Sequence, residues 1–461
     1  MTIWQPDASS LTRPAFLSLA AQIARAVASG QLRPGERLPT QRRMAEELGL
    51  SVQTVSRAYD ELVRRGLVSG ETGRGTFVRA QRSEPDPPFI PERPHDVVDL
   101  SILKPVGEAL HVERLKATLA DLAGDLAPNL ALSFRPSNIF ARHRAVAVDW
   151  LRRCGLEVSP GQVCLTNGAT AGMTVALMAA APPGATVATE ALGHHTLIAL
   201  AAYLGQKLEG IAMDEDGIRP DALARACAAG TIRALFVQPT GVGPTGLVMS
   251  AGRRSDLVAV ARRFDLVIIE NDPLGPLVED RPAPFAALAP ERTCHVTTFT
   301  KPVMPGLRTG YLTVPDRLVG AVANRHLVTN WIATPLIAEI ATRWAEDGTA
   351  LDLVRWQRKA LGRRHAIARS VLSEHAVTTS PNALHVWLPL ADGRDEAEFV
   401  AQVRRRGVAI APGRSFRIDA PSHPPAVRIA LGSTTEGELR AGLSVVAELL
   451  QSAPEPILFS I

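Results

Sequence analysis

Apolar side chains recur along this chain at two different spacings, and the change from one to the other divides it. Between residues 14 and 29, Leu19, Ile23, Ala26 and Val27 fall on one helical face, which ends at Gly30. Thr40 follows a proline and caps a predicted helix whose apolar side is Met44, Ala45 and Leu48 and which stops at Gly49. Leu50 alone separates that glycine from Ser51, the cap of a further helix with Val55, Ala58, Tyr59 and Leu62 at i, i+3, i+4 and i+7. So tight a turn between two short helices predicts a helix-turn-helix, whose second helix lies in a DNA major groove with its N-terminal residues at the base edges. The polar face of that helix carries Gln53, Thr54, Ser56 and Arg57. Gly66–Ser69 and Gly75–Val78 then read as a hairpin with Arg74 at its tip, a wing suited to the minor groove, where the negative potential attracts a guanidinium.

Beyond residue 80 the helical spacing is interrupted. Pro85, Pro87, Pro88, Pro91 and Pro94 fall within residues 80–97, where they exclude a helix and favour an extended, semi-rigid spacer. From residue 98 short β-branched or apolar runs alternate with helical ones. The runs at 162–166, 186–189, 207–212, 234–237, 266–270, 295–299 and 310–314 are expected strands, with helices such as 171–181 and 253–264 between them. That rhythm predicts a mostly parallel α/β sheet flanked by helices, with ligands at the C-terminal ends of the strands. From about residue 345 the order changes to a long charged helix, a strand at 383–390 and helices at 396–406 and from 435, which predicts a smaller α+β subdomain. The expected domains are a DNA-binding module over 1–79, the spacer at 80–97 and an α/β domain over 98–461.

Charge sharpens this division. The 461 residues carry 50 Lys+Arg against 46 Asp+Glu, and the whole excess of +4 lies in residues 1–80, which hold eleven arginines against seven acidic side chains. The remainder is balanced, so a polyanion such as double-stranded DNA is expected to bind the N-terminal module alone. With 46% hydrophobic and 21% charged residues, wholesale disorder is excluded. The N-terminal residues lack the pattern of a secretory signal, and the apolar patch near Met173–Pro183 is too short to span a bilayer. Cys154, Cys164, Cys227 and Cys294 lie far apart without metal-ligand spacing and read as buried thiols of a reducing, cytoplasmic protein. No metal site is expected.

Candidate chemistry gathers at predicted strand ends. Residues 165–170 run from a strand through Gly168 into a helix, so the amides of Ala169 and Thr170 and the Thr170 hydroxyl face an anion at a helix N-terminus. Only five of the basic side chains are lysines, Lys104, Lys116, Lys207, Lys301 and Lys359. In a chain so biased toward arginine, a lysine at a strand end suggests an amine that must deprotonate, as in Schiff-base chemistry. Lys301, in the segment Thr297–Arg308, has that position.

Residues 14–78 resemble the winged helix-turn-helix of GntR-type bacterial transcription regulators. The resemblance implies DNA contacts from Arg42, Ser51, Gln53, Thr54, Arg57 and the Arg74 wing, with Val52 replacing an arginine frequent in the family. Thr298–Lys301 followed by Pro305–Tyr311 resembles the cofactor-lysine segment of fold-type I pyridoxal phosphate aminotransferases, and Gly168–Thr170, Gln238–Gly246 and Ile269–Pro273 occur in the family order. Both modules in one chain are the layout of the MocR subfamily of regulators. This implies pyridoxal 5'-phosphate on Lys301, its phosphate held by Arg308, Thr298, Thr170 and the amides after Gly168, and Arg428 as the clamp of an effector carboxylate. It also implies a homodimer joined head to tail.

Several family positions are altered. Gly243 stands for the asparagine that bonds the cofactor's 3-oxygen, and Leu274 stands for a tyrosine. Asn271 stands for the aspartate that keeps the pyridine nitrogen protonated, with the adjacent Asp272 as the alternative partner. His194 falls where a ring-stacking aromatic is usual, and Phe134 where a tyrosine reaches the neighbouring subunit. A neutral amide at the ring nitrogen contributes no charge to hold a proton, which weakens the ring as an electron sink. The expected function is a DNA-binding regulator that senses an amino compound with little or no turnover. The alternatives are a working aminotransferase with an accessory DNA-binding domain and a regulator that has lost the cofactor.

Overall fold

The computed structural model describes residues 4–29, 31–33, 35–64, 67–71, 75–78, 97–132, 140–241, 243–391, 393–418 and 424–451. The chain forms two compact units, Met1–Arg93 and Pro94–Ile461. The expected spacer lies almost wholly outside the described residues, as do Arg74 and Phe134.

In the first unit, α1 (Ala15–Ala28), α2 (Gln41–Leu48) and α3 (Val52–Arg64) pack with a hairpin of β1 (Val68–Glu71) and β2 (Gly75–Val78). Local chemistry sets the helix ends. Thr40 accepts a hydrogen bond from the Arg43 amide at 3.3 Å, Gly49 closes α2 in the left-handed region at φ 65°, and the Ser51 hydroxyl accepts from the Thr54 amide at 3.1 Å. Leu19, Ile23, Met44, Val55, Tyr59, Leu62, Val68 and Val78 form one buried core, each such side chain contributing about 1.5–3 kcal/mol of transfer free energy. The Tyr59 hydroxyl donates to the Pro39 carbonyl at 2.8 Å, tying α3 to the residue before the α2 cap.

The second unit opens with β3 (Val98–Asp99) and contains a seven-stranded sheet. Its strands are β4 (Val163–Thr166), β5 (Thr186–Glu190), β6 (Lys207–Ile211), β9 (Ile232–Val237), β10 (Val267–Asn271), β11 (Thr293–Thr298) and β12 (Gly310–Thr313), with a small hairpin of β7 (Met213–Asp214) and β8 (Gly217–Ile218). The spatial order is β4-β12-β11-β10-β9-β5-β6, and β12 runs antiparallel to both neighbours while the other pairings are parallel. Apolar layers cover both faces, one built on the helix Ala169–Ala180 and the other on the helices Pro220–Cys227 and Ala251–Arg263. Burial on both faces explains why these strands read as continuous apolar runs.

The smaller subdomain contains β13 (His385–Pro389), β14 (Val408–Ala409), β15 (Ala411–Pro412) and β16 (Ala426–Ala430), with β16 between β13 and β15. The helices Thr349–Val371, Glu396–Arg405 and Glu436–Gln451 accompany them. β3 adds to this subdomain by parallel pairing with β14, Val98 opposite Val408 and Asp99 opposite Ala409. The expected start of the subdomain near residue 345 therefore omits its first strand. No helix among the described residues is long and apolar enough to cross a membrane, and the four cysteines are free thiols.

Candidate functional site

The turn after β4 and the segment before β12 approach each other closely. Gly168, at φ 82°, precedes a helix N-terminus that no side chain caps, so the first amides of Ala169–Ala180 are presented to a ligand. A β-carbon on Gly168 would lie 3.0 Å from Arg308 Nη2, and one on Gly310 would lie 2.9 Å from the Gly168 carbonyl carbon. Only glycines allow this approach. Arg308 itself occupies the left-handed region at φ 42°, and its side chain is exposed. The Thr298 hydroxyl donates to the Thr309 carbonyl at 2.7 Å and accepts from the Thr300 amide at 3.0 Å, so it ties the Lys301 loop to the Arg308 segment. Thr170 is exposed on the first helical turn.

Lys301 lies just past β11, its Nζ donating to the Leu103 carbonyl at 3.3 Å. Burial, with the charges of Arg428 and Arg308 nearby, pushes its amine down to about 7. Arg428 on β16 is buried, sits 4.7 Å from the centroid of the Phe416 ring and donates from Nη2 to the Ser101 carbonyl at 2.7 Å. Its Nε has no partner, and burial lowers its pKa to about 10. His194 stacks on His195 at 5.0 Å. Burial and the neighbouring His195, Lys301 and Arg428 hold His194 well below its ordinary value, and burial with Arg428 and Lys301 brings His195 to about 4. His385 approaches the carbonyls of Gly243 and Pro244 at 2.9 and 3.0 Å through Nε2 and is lowered to about 3, first by burial and then by Arg428. These groups share one electropositive space in which the imidazoles are neutral and the arginines carry the charge.

Asn271 ends β10, buried, with Oδ1 unpartnered. The register that sets Glu270 opposite Val237 brings Asn271 beside Gln238, whose amide oxygen and nitrogen are both buried without partners. An unsatisfied buried polar group costs about 1–3 kcal/mol, so Asn271 Oδ1 and the Gln238 amide, which has Glu190 as its polar neighbour, can hydrogen-bond a ligand at these adjacent strand ends. Asp272 forms a buried ion pair with Arg281 through Oδ2, while its buried Oδ1 has no partner. Burial opposes its ionisation, but Arg281, His295 and Arg254 outweigh that and hold the carboxyl below its ordinary value. Glu270, behind it, accepts from the Phe285 and Ala286 amides at 2.9 and 3.0 Å and contacts His295 Nδ1 at 2.9 Å. Glu270, Asp272 and His295 offer ligand atoms within 4.8 Å of one another. The guanidinium charges of Arg254 and Arg281 already balance the two carboxylates and oppose a dication there.

In the N-terminal unit Arg42 and Gln53 are exposed near the starts of α2 and α3, and the hydroxyls of Ser51 and Thr54 lie 2.8 Å apart. Arg57 is exposed, yet its guanidinium sits 4.0 Å from the centroid of Phe16 on α1. Residues 17–78 match the gntR family of bacterial regulatory proteins, and residues 96–446 match the aminotransferase class I and II family. The chain belongs to the MocR subfamily of GntR-type transcription regulators.

Relatives of this MocR chain extend over its length. An uncharacterized HTH-type transcriptional regulator of Bacillus subtilis is 25% identical over 97% of this chain and 96% of its own. The pyridoxine biosynthesis transcriptional regulator of Corynebacterium glutamicum is 33% identical over 64% of this chain and 65% of its own. The multiple substrate aminotransferase of Thermococcus profundus is similar in structure, with a TM-score of 0.70 at 21% identity over 77% of this chain and 91% of that one, which establishes the aminotransferase fold.

Sequence reading of the MocR chain missed four participants. Ser101 and Leu103 act through carbonyls, which no side-chain pattern reveals. His385 comes from the other subdomain. Arg37 precedes α2, yet it lies across the wing: a β-carbon on Gly75, at φ 124°, would fall 2.6 Å from Arg37 Nε. The arginine-rich composition of residues 1–80 was its one available signal.

Proposed function

We propose that this MocR-type regulator carries pyridoxal 5'-phosphate at Lys301 and responds to an amino compound at that site with little turnover, changing how its winged helices engage DNA. The observation that carries the reading is the place of Lys301 just past the end of β11, its Nζ on the Leu103 carbonyl at 3.3 Å, where burial and Arg428 bring the amine down to about 7. Such an amine is about half unprotonated at neutral pH, far more than an ordinary lysine, and the unprotonated form is nucleophilic. The residues present fit the cofactor. Arg308 and the uncapped helix after Gly168 suit a phosphate, and the unpartnered amides of Asn271 and Gln238 suit a heteroaromatic ring with polar substituents. When bound, the cofactor supplies an electrophilic aldehyde that exchanges one amine for another.

Arg428, with Nε free inside the pocket, is suited to a carboxylate on the incoming amine. Asn271 offers a neutral hydrogen bond at the strand end, and Asp272 is held by Arg281. With the neutral Asn271 at the ring nitrogen and the Asp272 charge balanced by Arg281, proton abstraction from the bound amine is disfavoured and exchange is favoured. In the reading proposed here, two chains pair head to tail in the cytoplasm and present two winged helices to an operator.

The test is spectroscopic. A visible band should develop when pyridoxal phosphate is added, disappear in Lys301→Ala and shift with an amine effector. Sustained product from an amino-acid panel with 2-oxo acids would instead establish a working aminotransferase. The name of the Corynebacterium relative also makes the cofactor a candidate signal, which a titration of DNA affinity with free pyridoxal phosphate decides.

A further inference from the structure

The first described residues of the second unit form a strap that reaches from Arg428 to Lys301. Val98 and Leu100 donate from their amides to the Gly407 and Ala409 carbonyls at 2.9 and 2.8 Å, and the Leu100 carbonyl accepts from Ala430 at 2.7 Å. Leu100 is fully buried in the small-subdomain core with Val386, Val427 and Ile429. The Ser433 hydroxyl bonds the Asp99 carbonyl. A β-carbon on Gly432 would collide with the Lys104 carbonyl, so the strap crosses this subdomain at van der Waals contact. Asp99 Oδ1 accepts from the Ser101 amide at 2.8 Å and from its hydroxyl at 2.6 Å, which turns the Ser101 carbonyl toward Arg428. Two residues later the Leu103 carbonyl meets Lys301, across from the small subdomain.

We infer that this strap, Val98–Lys104, couples ligand occupancy at Arg428 to the start of the interdomain spacer. The inference rests on the proposed role of Arg428 as a carboxylate site. Its sign follows from the hydrogen bonds of that arginine. The Ser101 carbonyl occupies one N–H of Nη2, and the buried Nε–H has no partner. A carboxylate that satisfies Nε and the remaining N–H groups neutralises the buried charge without displacing Ser101. Ligand and strap therefore favour the same arrangement, and by linkage each stabilises the other. Because the chain runs directly from Val98 back into residues 80–97, a ligand that holds the strap also fixes the point from which the spacer departs.

Hydrogen–deuterium exchange on the full chain tests this, with propionate as the carboxylate probe and calorimetry to measure its binding. The expected result is binding that is lost in Arg428→Ala, together with exchange over residues 98–104 slowed by about fivefold or more. Ser101→Pro removes both donors to Asp99 and should abolish the slowing while weakening propionate binding by about the coupling factor of fivefold, far short of the loss in Arg428→Ala; Ser101→Ala, a milder change that keeps the amide, should lie between. Propionate binding with unchanged exchange over 98–104 overturns the coupling and leaves the Arg428 site standing. No binding to the wild-type chain or to either Ser101 variant overturns the carboxylate site, and the coupling with it.

Discussion

Arg308 lies close over Gly168: a β-carbon there would be 3.0 Å from Nη2 and 3.2 Å from Cζ, so the guanidinium would have to give by a few tenths of an ångström. Gly168→Ala adds that atom and places alanine at φ 82° and ψ 175°, a backbone region essentially reserved for glycine and costing about 1–3 kcal/mol. Either Arg308 or the helix entrance must shift. We expect pyridoxal phosphate affinity to fall roughly tenfold or more, at 1.4 kcal/mol per tenfold. Circular dichroism should remain that of the wild type. Undiminished affinity in equilibrium dialysis would separate Arg308 from the phosphate site.

The reactivity of Lys301 should follow pH. Its amine is lowered to about 7, so the unprotonated fraction rises as pH increases through that value. The rate of aldehyde capture, followed by stopped-flow absorbance, should rise across neutrality and level off above it. Burial is the first cause of the shift and Arg428 the second, so Arg428→Met should move the midpoint upward while preserving the profile's direction. A midpoint that stays near an ordinary lysine value in the wild type contradicts the buried, charge-crowded setting.

How much of this could be read from the chain depends on how local its cause is. The caps at Thr40, Gly49 and Ser51 and the doubly buried runs of the large sheet are local, and all seven expected strands lie in that sheet with ends shifted by one or two residues. The antiparallel course of β12 left no local mark. Pairing of β3 with β14 joins residues some three hundred positions apart, and two-residue strands have no periodicity to detect. Asn271 and Asp272 are neighbours with similar side chains in sequence. Arg281 distinguishes them, and its position depends on the turns between β10 and β11.

Asn271→Asp tests the proposed cause of low turnover. A carboxylate at the end of β10 would offer the charge that the amide lacks, while Asp272 stays paired with Arg281. The expected outcome is a rise in amine-to-ketone conversion of about tenfold or more, each pKa unit gained by the ring nitrogen corresponding to 1.36 kcal/mol. Single-turnover absorbance with an excess of amino acid measures it. If conversion does not change, the amide is not what limits the chemistry.

In the DNA-binding unit, two arginines should separate binding from folding. Arg42 is exposed and makes no ion pair or ring contact among the described residues, so Arg42→Ala should weaken operator binding by roughly ten- to a hundredfold with the melting temperature unchanged. Arg57 stands over Phe16, a contact worth about 0.5–1 kcal/mol at an exposed site, so Arg57→Ala should lose DNA affinity and also lower thermal stability slightly. Phe16→Leu then becomes informative. It removes the ring beneath Arg57 while keeping the charge, and should reproduce the stability loss with a smaller loss of affinity. With about six phosphate contacts, affinity of the intact chain should also fall roughly a thousandfold between about 50 and 200 mM salt. Mobility shifts across that range provide the measurement. Wild-type affinity in both arginine variants, or an affinity indifferent to salt, would remove α2 and α3 from the DNA interface.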